Sequence, residues 1–205
     1  LTMTNATRVL AINGSYRDGG ITDQAIALAV RALSESGVEV EAVALRDYPI
    51  EFCLNCRACC QTPGDAPGQC VHNDGMQELV EKIEQADAYI LAAPTNFGSV
   101  TAIFKRFMER LTVYGYWPWG APGPKDRKAK LPKKKAMLIS SCAAPGLMGR
   151  LLYQTNKQLK MTARLVGADS VGTLFTGLIS SDPETRIPKR MRHKAVALAN
   201  KLQLQ

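Results

Sequence analysis

The feature that most constrains the fold is the alternation of short apolar segments with longer amphipathic ones. The first apolar run, residues 8–13 (RVLAIN), stops at Gly14, as buried parallel strands typically do. The next segment has apolar residues at helical spacing, from Ile26 to Leu33. Continued along the chain, this pattern predicts strands at 8–13, 38–45, 88–93, 136–141 and 170–175, and helices at 22–33, 76–85, 100–111, 147–165 and 183–202.

Helices between successive strands predict a parallel sheet with right-handed crossovers. We therefore expect one α/β domain over residues 1–205, a doubly wound five-stranded parallel sheet of order 2-1-3-4-5 with helices on both faces. Pro188 should delay or break the last helix, and Asp74 should cap the helix at 76–85. Residues 48–73 lack periodicity and form an excursion from this domain. Ligands of such sheets bind beyond the carboxyl ends of the strands.

The loop after the first strand has the composition of a phosphate site. Unpaired N–H groups at a helix N-terminus favour an anion. Ser15 and Thr22 add hydroxyl donors, and Arg17 adds a charged guanidinium that can donate two hydrogen bonds to a phosphate. Because the loop is neither Gly-x-Gly-x-x-Gly nor a P-loop, it favours a single phosphomonoester over a dinucleotide or a nucleoside triphosphate.

The cysteines point to a second centre. Five of the six lie between Cys53 and Cys70, and thiols so grouped in a chain without a visible secretory signal favour metal or redox chemistry. Three thiols at i, i+3 and i+6 with a remote fourth suit an iron–sulfur cluster. Four thiolates also suit structural zinc, and reduced thiols or a disulfide are the third alternative.

The loop Gly14–Thr22 resembles the Gly-Ser-x-Arg-x-x-Gly-Asn-Thr loop of the NADPH-dependent FMN reductase and iron–sulfur flavoprotein family, which is flavodoxin-like. The resemblance implies that the FMN phosphate is held by Ser15, Arg17, Ile21 and Thr22. Ile21 replaces the usual Asn, so only its N–H is expected to serve.

The segment from Pro94 to Trp117 resembles flavodoxin-like quinone reductases and FMN reductases. That resemblance implies that the isoalloxazine edge is held by Pro94, Thr95, Asn96, Phe97 and Gly98. The small-residue turn after the fourth strand is similar to a family turn that lines the flavin, which implies roles for Ser141, Cys142, Ala143 and Gly146. Lys105 and Arg110 also match family positions, and we expect them on a helix surface or at an interface.

The cysteine spacing resembles the compact motif of iron–sulfur flavoproteins, although residues 61–69 are an insertion before the last cysteine. The resemblance implies that a 4Fe-4S cluster is held by Cys53, Cys56, Cys59 and Cys70, with Cys60 left over.

These sites together indicate an FMN-dependent oxidoreductase that takes electrons from NAD(P)H and reduces FMN, a quinone or another small acceptor. The alternative is an iron–sulfur flavoprotein that transfers electrons from ferredoxin, and a third, distant alternative is a non-catalytic metal-stabilised module. No side-chain acid or base is expected to be catalytic.

Family resemblance implies a homodimer or homotetramer. Despite the net charge of +8, the basic runs lack interleaved aromatic residues, so we expect no nucleic-acid partner. We also expect no membrane partner and a cytoplasmic location.

Overall fold

A single parallel sheet forms the centre of the molecule in the computed structural model, which describes residues 7–178 and 184–203. Its strands are β1 (Arg8–Asn13), β2 (Glu39–Ala44), β3 (Ala88–Ala92), β4 (Lys134–Ser141) and β5 (Ala168–Thr176). They lie in the order β2-β1-β3-β4-β5, and every pairing is parallel. The predicted order 2-1-3-4-5 is confirmed, and the reversal of strand order falls between β1 and β3.

The strand side chains supply two cores, one on each face of the sheet. On β1, Val9 and Ala11 pack toward one face, while Leu10 and Ile12 pack toward the other, as the two-residue period of a strand requires. The first face is covered by α1 (Ile21–Glu35) and α6 (Lys189–Ala199). The second is covered by α2 (Gly75–Gln85), α3 (Ala102–Arg110) and α5 (Thr155–Leu165). The doubly wound architecture is thereby confirmed.

The single helix predicted over residues 147–165 is wrong. The structure has two helices there, α4 (Gly146–Leu152) and α5, separated by Tyr153 in an extended conformation and Gln154. The Gln154 N–H donates to the carbonyl oxygen of Gly98 at 2.7 Å. A donor engaged by the loop after β3 is unavailable to a continuous helix, so a tertiary contact overrides the local periodicity.

The ends of two other helices follow local chemistry. Asp74 caps α2 as predicted, because its side chain accepts from the Met76 N–H at 3.1 Å. The last helix begins at Lys189, directly after Pro188, rather than at residue 183, which lies outside the described residues; residues 184–188 are not helical. Among the helices of the described part, none has the length and apolar character needed to cross a membrane.

Candidate functional site

The loop after β1 is held in place by its own side chains. Asn13 Oδ1 accepts from the Ser15 N–H at 2.9 Å, and Asn13 Nδ2 donates to Asp23 Oδ1 at 2.7 Å. The other carboxylate oxygen of Asp23 accepts from the Gly19 N–H at 2.9 Å. Because Asn13 ends β1 and Asp23 lies in the first turn of α1, these bonds fix the loop at both ends. A preformed loop spares a ligand the entropy of ordering it.

The N-terminus of α1 is open for an anion. Gly20 is the N-cap residue and has no side chain that could form a capping hydrogen bond, which suits the first-turn N–H groups to an external anion. Three buried hydroxyls lie around this end: those of Ser15, Thr22 and Ser141. The Thr22 and Ser141 hydroxyl oxygens are 3.3 Å apart, which joins the loops after β1 and β4. Helix dipole, N–H groups and hydroxyls together match the requirements of a phosphate group.

Arg46 is a further cation at this loop that the sequence reasoning missed. Its Nη1 donates to the carbonyl oxygen of Ser15 at 3.1 Å, and its Nη2 pairs with Asp18. The sequence contained a sign of this role, since Arg46 closely follows the second strand. The pairing of Asn13 with Ala44 brings the end of β2 beside the loop after β1. Arg46 adds positive charge and anchors the loop from the side opposite α1.

A cavity of about 220 Å³ opens where the loops after β1, β3 and β4 meet. Seven of the predicted residues line it together: Ser15, Arg17, Ile21, Thr22, Pro94, Asn96 and Ser141. Its other lining residues are Tyr16, Gly20, Thr101 and Thr185. Thr101 fixes the floor, because its buried hydroxyl donates to the Gly14 carbonyl at 2.6 Å. Hydroxyls, a guanidinium and a helix N-terminus on one wall suit the phosphate end of a flavin nucleotide.

The other predicted residues lie around this cavity without lining it. The Thr95 hydroxyl is 2.9 Å from that of Thr155, which directs it toward α5. Phe97 is fully exposed at the tip of a hairpin, with a positive φ of 47°. The rest form the hairpin turn and the connection from β4 into α4: Gly98, Cys142, Ala143 and Gly146. Of these, Cys142 is buried, and its thiol donates to the Ala144 carbonyl at 3.2 Å.

The cysteine-rich segment brings several thiols to one place. Burial raises the pKa of the Cys59 thiol, and the neighbouring thiols of Cys60, Cys70 and Cys53 raise it further. The Cys59 and Cys60 sulfurs are 3.8 Å apart, whereas Cys56 is exposed. All six cysteines are free. In residues 7–178 and 184–203, no three His, Cys, Asp or Glu side chains form a ready-made metal site.

The chemistry of this donor set fits a thiolate-bound metal centre. The Cys59 thiol, half-buried beside other thiols, resists losing its proton, and a metal cation is what reverses that preference. Cys60 differs from the others, because it is buried and its thiol donates to the Thr112 carbonyl at 3.5 Å. This bond uses the S–H of Cys60 and distinguishes that residue from the other thiols of the segment.

An arginine stacked between two tryptophans holds the cysteine turn. The Arg57 guanidinium lies 3.7 Å from the ring centre of Trp117 and 4.4 Å from that of Trp119. It also donates to the Trp117 carbonyl at 2.7 Å. Arg57 and Asn55 both have positive φ angles, a conformation that asparagine tolerates better than most residues. The loop after α3 therefore packs on the cysteine segment.

Arg110 lies inside the protein, so the prediction that it would lie on a helix surface or at an interface is wrong. Its side chain is 1% exposed and pairs with Asp74, which is 8% exposed. Lys105 behaves as predicted and pairs with Glu109 on the surface of α3 at 2.6 Å. Burial alone would raise the pKa of Asp74, but hydrogen bonds from Arg110 and from two backbone N–H groups outweigh burial and lower that pKa.

The lowered pKa of Asp74 leads to a pH prediction. Its stabilising effect is complete above the ordinary carboxyl pKa, near 4, and is lost as the pH falls through the lower folded-state value. Asp74→Asn keeps an N-cap oxygen but leaves the buried Arg110 charge unbalanced, so we expect a loss of about 3 kcal/mol in unfolding free energy at pH 7. The difference should shrink as the pH falls below about 4. Urea unfolding of both proteins across that range checks this, and a constant difference would contradict it.

Comparison with known proteins gives consistent matches. Residues 7–173 match the family model described as NADPH-dependent FMN reductase. An iron-sulfur flavoprotein of Archaeoglobus fulgidus is 37% identical over 200 residues, which cover 95% of this chain and 93% of that protein. A second iron-sulfur flavoprotein of that organism is 37% identical over 111 residues, 54% of this chain. The alignment spans about half of the second relative, 48% of its length. An archaeal flavodoxin structure covers 96% of both chains with a TM-score of 0.54 at 10% identity, a likeness of fold alone.

Proposed function

The chain belongs to the NADPH-dependent FMN reductase family, and from this premise we propose that it is an FMN-dependent oxidoreductase that uses NAD(P)H to reduce FMN, a quinone or another small acceptor. The observation that carries the proposal is the preformed, uncapped loop before α1, which opens into the cavity at the point where strand order reverses. When bound there, FMN supplies the hydride and single-electron chemistry, and the protein supplies position and charge.

We assign the FMN phosphate to the loop before α1. Ser15 and Thr22 have hydroxyls in the cavity wall, and Arg17 adds charge. Ile21 is 6% exposed, so its apolar side chain belongs to the core and its contribution is the backbone N–H at the start of α1. This accounts for an isoleucine at a position where the family motif that the loop resembles has asparagine, because the N–H is independent of the side chain.

The ring of the flavin is assigned to the loops after β3 and β4. Pro94 and Asn96 line the cavity beyond the phosphate end, and Thr95, Phe97 and Gly98 continue the same hairpin. Ser141 lines the cavity from the loop after β4, and we assign further contacts with the ring to Cys142, Ala143 and Gly146 of the same connection. Small residues there let a planar ring approach the backbone. The exposed Phe97 ring is available to cover a nicotinamide or an acceptor stacked on the flavin.

A second redox centre is proposed in the cysteine segment, which would make the protein an electron-transfer iron–sulfur flavoprotein. We assign the ligands of a 4Fe-4S cluster to Cys53, Cys56, Cys59 and Cys70. Two observations favour this candidate: the crowded free thiols around Cys59, and the name of the full-length relative, iron-sulfur flavoprotein. In this case reduced ferredoxin is the proposed donor.

We also propose that the protein forms a homodimer or homotetramer. Several large apolar side chains beside the proposed flavin site are more than half exposed: Phe97, Met148, Leu151 and Leu152. Large apolar side chains exposed in this number favour a surface that a protein partner covers. Light scattering of the purified protein measures the mass directly, and a monomer at micromolar concentration would contradict this assignment.

The test of function is anaerobic reduction of the purified protein. If the reductase proposal holds, NADPH or NADH bleaches the flavin absorbance rapidly, without any other protein. If the protein is a ferredoxin-fed electron carrier, only reduced ferredoxin bleaches it. Analysis of iron and acid-labile sulfide in the same sample decides the cluster separately. A colourless protein with tightly bound zinc would contradict both candidates.

A further inference from the structure

The contacts of Arg110 give this residue a special place in the cysteine segment. Its Nη2 is 3.4 Å from the Cys70 sulfur and 3.1 Å from Asp74 Oδ1. Its Nη1 is 2.6 Å from Asp74 Oδ2 and donates to the Glu51 carbonyl at 2.8 Å. The guanidinium therefore contacts both a carboxylate and a proposed cluster ligand, and its Nη2 is shared between them. It also joins both ends of the cysteine segment to the last turn of α3.

Stability alone is a weak reason for this arrangement. Removing a guanidinium from water is costly, and well-packed apolar residues commonly replace a buried ion pair with little or no loss of stability. Within the part of the chain that the structure describes, the buried Arg110 Nε also has no hydrogen-bond partner, which adds a further cost. A buried positive charge that is kept despite these costs suggests that it stabilises negative charge on a nearby group.

Reduction of an iron–sulfur cluster produces such negative charge, because it adds one electron to the group bound by the thiolates. Hydrogen bonds to the sulfurs and the charge around them set the reduction potential. A cation that donates to a ligand sulfur from a buried position stabilises the reduced form, since little water screens it. The carboxylate of Asp74 binds the same guanidinium, through Nη1 and Nη2, and its negative charge opposes part of that effect.

We propose that Arg110 and Asp74 act as an opposed pair of positioning residues that set the reduction potential of the cluster, Arg110 raising it and Asp74 lowering it. This inference depends on the proposed cluster at Cys53, Cys56, Cys59 and Cys70. The two residues differ in distance from the sulfur: Arg110 touches Cys70, whereas Asp74 acts through Arg110. The two side chains therefore have opposite effects although they belong to one ion pair.

The experiment is a potentiometric titration of the anaerobically purified holoprotein, with dithionite as the one-electron reductant and electron paramagnetic resonance of the reduced cluster as the readout. Arg110→Met is expected to lower the equilibrium constant for reduction at least tenfold, which is a shift of about 59 mV. Asp74→Asn is expected to raise it, because the guanidinium charge is then unopposed. Arg110→Lys, which keeps a charge but has a shorter reach and no fork, should give a smaller decrease than Arg110→Met.

The matched control is Lys105→Met, which removes a positive charge from the same helix at an exposed site. Water and salt screen that site, so we expect a change of less than twofold. If Arg110→Met does not keep its cluster, Arg110→Lys and Asp74→Asn supply the two opposite shifts. Shifts of the same sign for Arg110 and Asp74 variants, or shifts no larger than that of Lys105→Met, would overturn the inference. Absence of iron in the wild-type protein would instead refute the cluster itself.

Discussion

Gly68→Ala is expected to abolish iron binding and to lower the unfolding free energy by about 3 kcal/mol. A Cβ at this position would lie 1.8 Å from the carbonyl oxygen of Cys59 and 2.8 Å from its carbonyl carbon. Both atoms belong to the backbone, so no side-chain rotation relieves the clash. The backbone of Gly68 is also fixed by a hydrogen bond, because its N–H donates to the Val113 carbonyl at 2.8 Å. The turn bearing Cys59 and the extended segment leading to Cys70 must therefore separate.

The measurement is iron per protein after anaerobic reconstitution, together with urea unfolding. Gly123→Ala is the matched control, since a Cβ there has no heavy atom within 4 Å and the residue has no positive φ. We expect that variant to bind iron like the wild-type protein. Full iron occupancy in Gly68→Ala would show that the close approach of Gly68 to Cys59 is unrelated to metal binding.

Arg17→Glu is expected to weaken FMN binding by 100-fold or more. In the proposed complex Arg17 faces the phosphate from the loop before α1, and charge-assisted hydrogen bonds contribute about 1.5–3 kcal/mol each. Replacing the cation by a carboxylate removes that bond and adds repulsion. Together these effects correspond to roughly 3 kcal/mol, which is about 100-fold in Kd. Quenching of flavin fluorescence during titration of the apoprotein with FMN measures the change.

The control for this prediction is Arg31→Glu, which makes the same charge change within α1, the helix that follows the loop of Arg17. Arg31 is 80% exposed and pairs with Glu35 four residues away, so its effect on FMN should stay within threefold because solvent screens it. Equal losses in both variants would indicate a general effect of net charge. An unchanged Kd in Arg17→Glu would remove Arg17 from the proposed site.

Much of the fold was predictable because the alternation of elements is strong and local. The strands are buried apolar runs, and an α/β alternation permits few topologies. Asp74 was predictable as a cap for the same reason, since capping depends on the next two residues. The break between α4 and α5 was not predictable, because it depends on the Gly98 carbonyl, which is distant in sequence from Gln154.

The burial of Arg110 depends on a partner that is distant in the sequence. Arg110 continues the stripe formed by Ile103 and Phe107 at helical spacing, so its place on the inner face of α3 was visible. A charged residue on such a face suggests a partner, but Asp74 is 36 positions away and comes close only after the sheet has assembled. Pairing between distant loops, rather than local propensity, decided this part of the site.

The most direct test of the central claim compares FMN with riboflavin, the same flavin without its phosphate, by titrating the apoprotein with each. We assign the phosphate to the N-terminus of α1 and to Ser15, Arg17 and Thr22. We therefore expect FMN to bind at least 100-fold more tightly than riboflavin. Equal affinities for the two flavins, or binding of neither, would contradict the assignment of the sheet edge as an FMN site.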